Sequence, residues 1–329
     1  MQPFVYERAT TIDDVLATLA ADPQAAPIAG GTELVNWMKE GIATPQRLVD
    51  INRLPGLADV HEDPSGLHVG ALARMSDVAA HETVRTRYPA IAETLEASAS
   101  QQLRNMATIG GNLMQRTRCP YFRADAPVPC NKRLPGTGCS ALAGSDRAAA
   151  IVGTSDACIA THPSDLAVAL AALDAVVYVR GSGGRRAIPL DAFYRLPEDR
   201  PERETTLERG ELIVGIHVPA SPVARSSHYL KVRERASYEF ALVSAAVAVA
   251  VDGIVVSDAR IALGGIAPKP WRLRDAEAML RGMPFTLVSV RAALARAFDD
   301  ARPGRENGFK IELARRTVER AMRRIGAAG

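Results

Sequence analysis

The sequence predicts an α+β protein of two domains, and three observations carry the prediction. Its 329 residues exceed the length at which a single core usually keeps growing. The N-terminal part alternates strand and helix patterns around glycine turns. Beyond a Pro- and Ser-containing stretch, Pro219 to Ser227, strands come first and helices after, the order of an α+β unit.

The elements follow along the chain. Phe4-Val5-Tyr6 reads as a strand, Ile12 to Leu19 as a helix with apolar residues at helical spacing, and Pro27-Ile28-Ala29 as a second strand. The turn Gly30-Gly31 leads into a helix over Thr32 to Lys39, ended by Gly41. Leu48 to Ile51 and Leu67 to Gly70 are further strands, and Val78 to Ser100 holds two helical stretches divided by Pro89. Asp165 to Leu173 is helical, Ala175 to Val179 extended, and the strand Leu212 to Val218 stops at Pro219. After the linker come strands at Ser244 to Val251, Ile254 to Val256 and Arg260 to Leu263, turning at Asp252-Gly253. Two helical stretches follow and end in the basic run Arg315 to Arg324. Domains are expected over 1–220 and 225–329.

Composition excludes several classes of function. Hydrophobic residues at 47% and charged residues at 23% are those of a globular chain. The net charge of +3 comes from 40 basic and 37 acidic residues mixed along the chain, without the one-faced basic stripe of a nucleic-acid binder. The apolar run Phe240 to Val251 is too short to span a bilayer, so no membrane insertion is expected. Met1 to Thr10 carry no basic region followed by an apolar run, so no export signal of its own is expected. The chain would then be cytoplasmic, or periplasmic by co-export with a signal-bearing partner.

Two glycine motifs carry the first chemistry. Gly30-Gly31-Thr32, between a strand and a helix, lets the backbone approach an anion, a pyrophosphate being the natural occupant. The Gly-x-Gly-x-x-Gly fingerprint and the P-loop lysine are both missing, and alone the glycine pair also reads as a tight turn. Thr108-Ile109-Gly110-Gly111-Asn112 could clamp the other side of a diphosphate, or be a glycine turn capped by Asn112. Together, Ala29 to Leu34 and Thr108 to Asn112 resemble the two FAD-binding signatures of the xanthine oxidase family flavoproteins. Ser164-Asp165, Gly210 to Ile213, Lys231 to Tyr238 and Leu263 to Trp271 extend that resemblance along nearly the whole chain.

The resemblance implies a vanillyl-alcohol-oxidase/PCMH-type FAD-binding fold of two α/β subdomains, followed by a smaller α+β C-terminal domain. It implies that Ala29, Gly30, Gly31, Thr32, Glu33 and Leu34, with Thr108, Gly110, Gly111 and Asn112, hold the FAD diphosphate. Asp165, Ile213 and Lys231 would also contact the cofactor. Without the resemblance, Asp165 reads as a helix cap and Lys231 as a solvated charge.

All four cysteines, Cys119, Cys130, Cys139 and Cys158, fall within one forty-residue segment. Shorter family members pass from the Gly-Gly-Asn loop to the Ser-Asp pair in about eight residues, so this segment lies in an insert of about forty-four extra residues, over 113–160. It is rich in proline and glycine, and regular structure is not expected to hold it. Two disulfides, a structural zinc or an iron–sulfur cluster compete as staples, and spacing alone does not choose. A reducing compartment disfavours disulfides, and the absence of Cys-x-x-Cys pairs disfavours a zinc ribbon. A cluster with dispersed ligands fits better. Asn112 to Phe122, Cys130 to Gly136 and Ala157 to Pro163 resemble the insert of the family's periplasmic aldehyde oxidoreductase FAD subunits, which implies a 4Fe-4S cluster on the four cysteines. His162 reads as a turn residue, not a ligand.

The chain has no ferredoxin-type Cys-x4-Cys-x2-Cys spacing and too little length for a molybdopterin domain. The resemblance therefore implies two partners, a molybdenum-cofactor large subunit and a 2Fe-2S small subunit. Electrons would pass through FAD here to an external acceptor, and no residue of the chain would be catalytic toward the aldehyde. Rival readings are a standalone FAD oxidoreductase, with Tyr238 and Glu239 as its candidates, and a subunit like those of 4-hydroxybenzoyl-CoA reductase. A zinc-stapled assembly subunit without flavin is the non-enzymatic rival.

Overall fold

The computed structural model describes residues 1–327; the last two residues of the second expected domain lie outside it. Three sheets organise the chain. The first is parallel and three-stranded, built from β1 (Val5–Arg8), β2 (Ala25–Ile28) and β3 (Arg47–Asp50) in the order β1-β3-β2. Between β1 and β2 lies α1 (Ile12–Ala21), opened by a reciprocal box in which Thr11 and Asp14 each accept the other's backbone N–H. The glycine turn follows β2, and α2 (Leu34–Lys39) starts two residues later than the sequence pattern suggests.

The second sheet is antiparallel, with strands β4 (Val60–Asp63), β5 (Gly66–Gly70), β6 (Val176–Gly181), β7 (Gly184–Pro189) and β8 (Leu212–Pro219). Their spatial order is β4-β5-β8-β6-β7. The edge strands β4 and β7 escape the sequence reading because their residues are largely polar or exposed, as suits sheet edges. Helices α3 (Met75–Ala80), α4 (Glu82–Arg87) and α5 (Pro89–Ala97) replace the two stretches expected there. Extended backbone at His81 divides the first pair, and Pro89 opens the third where its missing N–H costs nothing. Short helices α6 (Gln101–Arg104) and α7 (Ile109–Leu113) lead to the insert, and α8 (Asp165–Ala172) and α9 (Leu190–Phe193) follow it.

The third sheet, β9 (Ser227–Val232), β10 (Val243–Asp252), β11 (Val255–Gly264) and β12 (Trp271–Arg272), is antiparallel in the order β12-β11-β10-β9. Two strands expected at Ile254 to Val256 and Arg260 to Leu263 are one. The polar Ser257-Asp258 step between them is a bulge: Ser257 has no partner on β10, while Asp258 pairs with Ala250 and its carboxylate meets Arg260 and Arg281. Three helices rather than two complete the chain, α10 (Arg274–Leu280), α11 (Leu287–Leu294) and α12 (Phe309–Arg324).

This third sheet is buried on both sides. Along β10, Ala246 and Ala248 face α8 and belong to the core it shares with α5 and the five-stranded sheet, while Val243, Ala245, Val247 and Val249 belong to the core of the three C-terminal helices. The period of two thus separates a small-residue face from a branched one. Helix α8 is buried along its whole length, as an apolar sequence without a polar stripe requires. Among the described residues, no helix is long and apolar enough to cross a membrane.

The cysteine insert is stitched to the C-terminal part. Ile151 and Val152 enter its core and donate backbone hydrogen bonds to Ile266 O. Asp146 accepts from the amides of Arg305 and Glu306. Lys310, fully buried on α12, donates to the carbonyls of Ala148, Ala149 and Gly265 at 2.7–3.0 Å, one acceptor for each ammonium proton. Replacing it by Met leaves three buried carbonyls without that donor. Lys310→Met is expected to cost about 2–4 kcal/mol, read as a lower urea midpoint, with the insert more open to limited proteolysis.

Candidate flavin site and cysteine cluster

The two glycine motifs meet. A Cβ on Gly30 would lie 1.9 Å from the carbonyl oxygen of Met106, two residues before Thr108, so only glycine permits the approach. Gly31 has φ +72°, the left-handed conformation that reverses the chain into α2. Asn52 and Arg74 tie the approach together. The Asn52 amide donates to Ala29 O at 3.0 Å, and Arg74 donates to Asn52 Oδ1 at 2.8 Å and to Met106 O. The second motif is fixed by backbone bonds from Ile109 N to Ala73 O and from Gly110 N to Ala71 O. Thr108 caps α7 through its hydroxyl, which accepts from Gly111 N. Asn52 and Arg74 stand alone in sequence, and no local signal marked them.

Both motifs line one cavity of about 720 Å³, within the range of cofactor sites. All thirteen residues expected to hold the flavin line it. Their side chains differ in what they do. The Asn112 amide is spent inside the protein, donating to Met75 Sδ and accepting from the Ser164 hydroxyl at 2.6 Å. Glu33 accepts from Trp37 Nε1 at 2.8 Å, Arg118 at 2.5 Å and Arg123 at 2.7 Å. Ile213, buried on β8, supplies apolar wall; the register shifts by one residue opposite Tyr178 and Val179, a bulge beside Val214 that re-aims its neighbours.

Asp165 does not cap α8; the hydroxyl of Ser164 does, accepting from Ala167 N. The Asp165 carboxylate is buried and accepts from Lys231 at 2.7 Å, Ser98 at 3.0 Å and the Tyr229 hydroxyl. Lys231 is no solvated charge, its side chain being only 4% exposed. Burial and the adjacent Asp165 charge push the Tyr229 phenol well up, which keeps it a donor. Tyr238 and Glu239 lie in the loop between β9 and β10, also on the cavity. The Glu239 carboxylate accepts from the amides of Glu234 and Arg235, a loop-shaping role that leaves it poorly placed as a general base.

The four cysteines line a second, smaller cavity with Phe122, Lys132 and Ala160. Cys130 and Cys139 face each other across an isolated antiparallel bridge, and all four are free thiols. The disulfide alternative therefore has no counterpart. The amides of Phe122 and Tyr121 point at the Cys119 sulfur, and burial pushes its pKa up, as it pushes Cys158 to about 11. Among the described residues, no three His, Cys, Asp or Glu side chains close on a point that would hold one metal ion. His162 does not line the cysteine cavity. Its ring is tilted against that of Tyr194 with centroids 4.4 Å apart, and burial lowers its pKa to about 4, so it is neutral.

Comparison with known proteins agrees with this geometry. Residues 2–221 match the family described as the FAD binding domain in molybdopterin dehydrogenase. Residues 228–325 match the CO dehydrogenase flavoprotein C-terminal domain. The chain is 49% identical to the aldehyde oxidoreductase FAD-binding subunit of Escherichia coli, over 97% of this chain and 96% of that one. It is 27% identical to the carbon monoxide dehydrogenase medium chain of Hydrogenophaga pseudoflava, over 97% and 96% of the two chains. A solved structure of carbon monoxide dehydrogenase from that organism superimposes with a TM-score of 0.75 at 28% identity, covering 98% of this chain and 96% of that one. The fold is thus the expected PCMH-type flavin-binding fold with its C-terminal α+β unit. The chain belongs to the FAD-binding medium subunits of the xanthine oxidase family, the flavoprotein components of molybdenum hydroxylases.

Proposed function

We propose that this chain is the FAD- and 4Fe-4S-binding electron-transfer subunit of a heterotrimeric molybdenum-containing aldehyde oxidoreductase. It would take electrons from a molybdenum subunit through a 2Fe-2S subunit and pass them to an external acceptor. One observation carries the reading: a cofactor-sized cavity lined by both glycine motifs lies in the same chain as a separate ring of four thiols. That the 49% identical relative is the FAD-binding subunit of an aldehyde oxidoreductase supports the aldehyde as substrate of the complex.

The residues fit both groups. Gly30 and Gly31 leave the backbone bare where a diphosphate would lie, and the Asp165–Lys231 pair puts fixed charges on the cavity wall. Ile213 gives the cavity apolar wall. FAD, when bound, supplies a carrier that takes up electrons singly or in pairs. Four cysteines are the usual ligand set of a 4Fe-4S cluster, and all four line one small cavity. The chain's part in turnover is to bind, orient and insulate these groups. Oxidation of the aldehyde itself falls to the molybdenum partner.

The decisive measurement is the anaerobic absorption spectrum of the purified chain with its flavin, iron and acid-labile sulfide content. One FAD and about four irons per chain are expected; a colourless, zinc-containing protein would refute the reading. Gly30→Val should reduce FAD affinity by more than about tenfold, because its side chain must push Met106 and the second motif away; flavin titration with a circular dichroism control checks this. Cys130→Ser should lose most of the iron and sulfide while retaining FAD, and full iron retention would remove Cys130 from the ligand set.

A further inference from the structure

The insert does not merely lie beside the flavin cavity; one of its residues lines that cavity next in sequence to a cysteine of the second cavity. Arg118 immediately precedes Cys119. Its guanidinium donates to Glu33 of the first glycine motif at 2.5 Å and lies 4.7 Å over the ring of Phe240, in the loop between β9 and β10. Both partners line the cavity, as Arg118 does. A half-buried cation held between a carboxylate and an aromatic face makes a charge-assisted contact to one and a cation–π contact to the other.

The segment around Cys119 is tight enough to transmit a displacement. The amide of Arg123 closes a turn on Cys119 O at 3.0 Å, and Cys119 N donates to Thr117 Oγ1 at 3.2 Å. Arg123 also donates to Thr117 O, and its other nitrogens reach Glu33 and Glu40 at 2.7 and 2.8 Å. The cysteine and both arginines therefore move together. One donor of Arg118, Nε–H, is buried without an acceptor among the described residues, so the link is not fully satisfied and depends on where the turn holds it.

We propose that Arg118 is a positioning residue coupling the two cofactor sites: ligation of Cys119 fixes Arg118, which in turn fixes Glu33 and Phe240, both of which line the flavin cavity. This rests on the reading above, in which the cysteines hold a cluster and the cavity holds FAD. Filling the cysteine site then raises FAD affinity, and FAD must raise retention of the metal centre by the same factor, because linkage is reciprocal. Trp37, whose indole donates to Glu33, reports the state of the link by its emission.

The test is a thermodynamic cycle on the full chain. FAD affinity is titrated with the cysteine site reconstituted from iron and sulfide, and again after removal of iron by a chelator. The intact chain should show a difference of about tenfold, inside the range of roughly 5–150-fold usual for such couplings. Arg118→Ala should bring the ratio close to one and abolish the response of Trp37 emission to iron, measured with Trp271→Phe as background. Phe240→Leu, which cuts one arm, and Arg118→Lys, which keeps the charge but loses the planar fork, should each retain part of the ratio and serve if the alanine variant does not fold. Equal FAD affinity with and without iron in the intact chain, or an undiminished ratio in all three variants, overturns the coupling. A chain that takes up no FAD or no iron overturns the underlying reading instead.

Discussion

One buried carboxylate sets the geometry on which the cavity depends. Asp165 stands at the start of α8, at the seam between the flavin-binding part and the C-terminal sheet. Its oxygens gather a lysine and a tyrosine from β9 and a serine from the end of α5. Burying such a pair is costly, and removing one partner from it costs more, about 3–5 kcal/mol. What the arrangement secures is registration. Three elements distant in sequence are fixed relative to one another within hydrogen-bond tolerance. The backbone there is constrained further, since Lys231 and Arg233 both donate to Ala97 O, next to a stretch in which Ala99 takes a positive φ.

The insert is held differently from what its composition suggests. The proline and glycine content of the segment calls for a covalent or metal staple, yet ordinary contacts hold both of its ends. At one end Arg116 pairs with Glu204, and Arg118 and Arg123 with Glu33. Lys132 pairs with Glu204 at 3.0 Å, and Phe122 is buried beneath two of the arginines. At the other end Asp146 and Lys310 anchor it to the C-terminal helices. The thiols are left with little structural burden, and their placement can answer to the chemistry of a ligand.

The sequence made the glycine motifs legible because glycine is informative when a backbone must approach another or take positive φ, and Gly30 and Gly31 do both. The confinement of the cysteines to one insert was legible for a similar reason, rarity. Asn52 and Arg74 were not, because an isolated amide and an isolated arginine mean nothing until the loop they brace is seen. Strands β4 and β7 were hidden by polar edge sequences, and β11 was split by Asp258, whose charge is neutralised only in the tertiary structure. Asp165 and Lys231 each had an unremarkable local explanation, and only their meeting across 66 positions shows that neither applies.

The two faces of β10 bear on how the chain can change over evolutionary time. Alanines on one side lie close against α8 and its surroundings, and valines on the other meet the C-terminal helices. The strand is thus a party wall, owned by both halves, and its thickness is set by residues that belong to neither alone. An enlargement of Ala246 or Ala248 would have to be answered on that same face by a smaller side chain on α8. The two regions therefore cannot be exchanged between relatives like separate modules; they are bound to drift as a pair, each recording the other's substitutions.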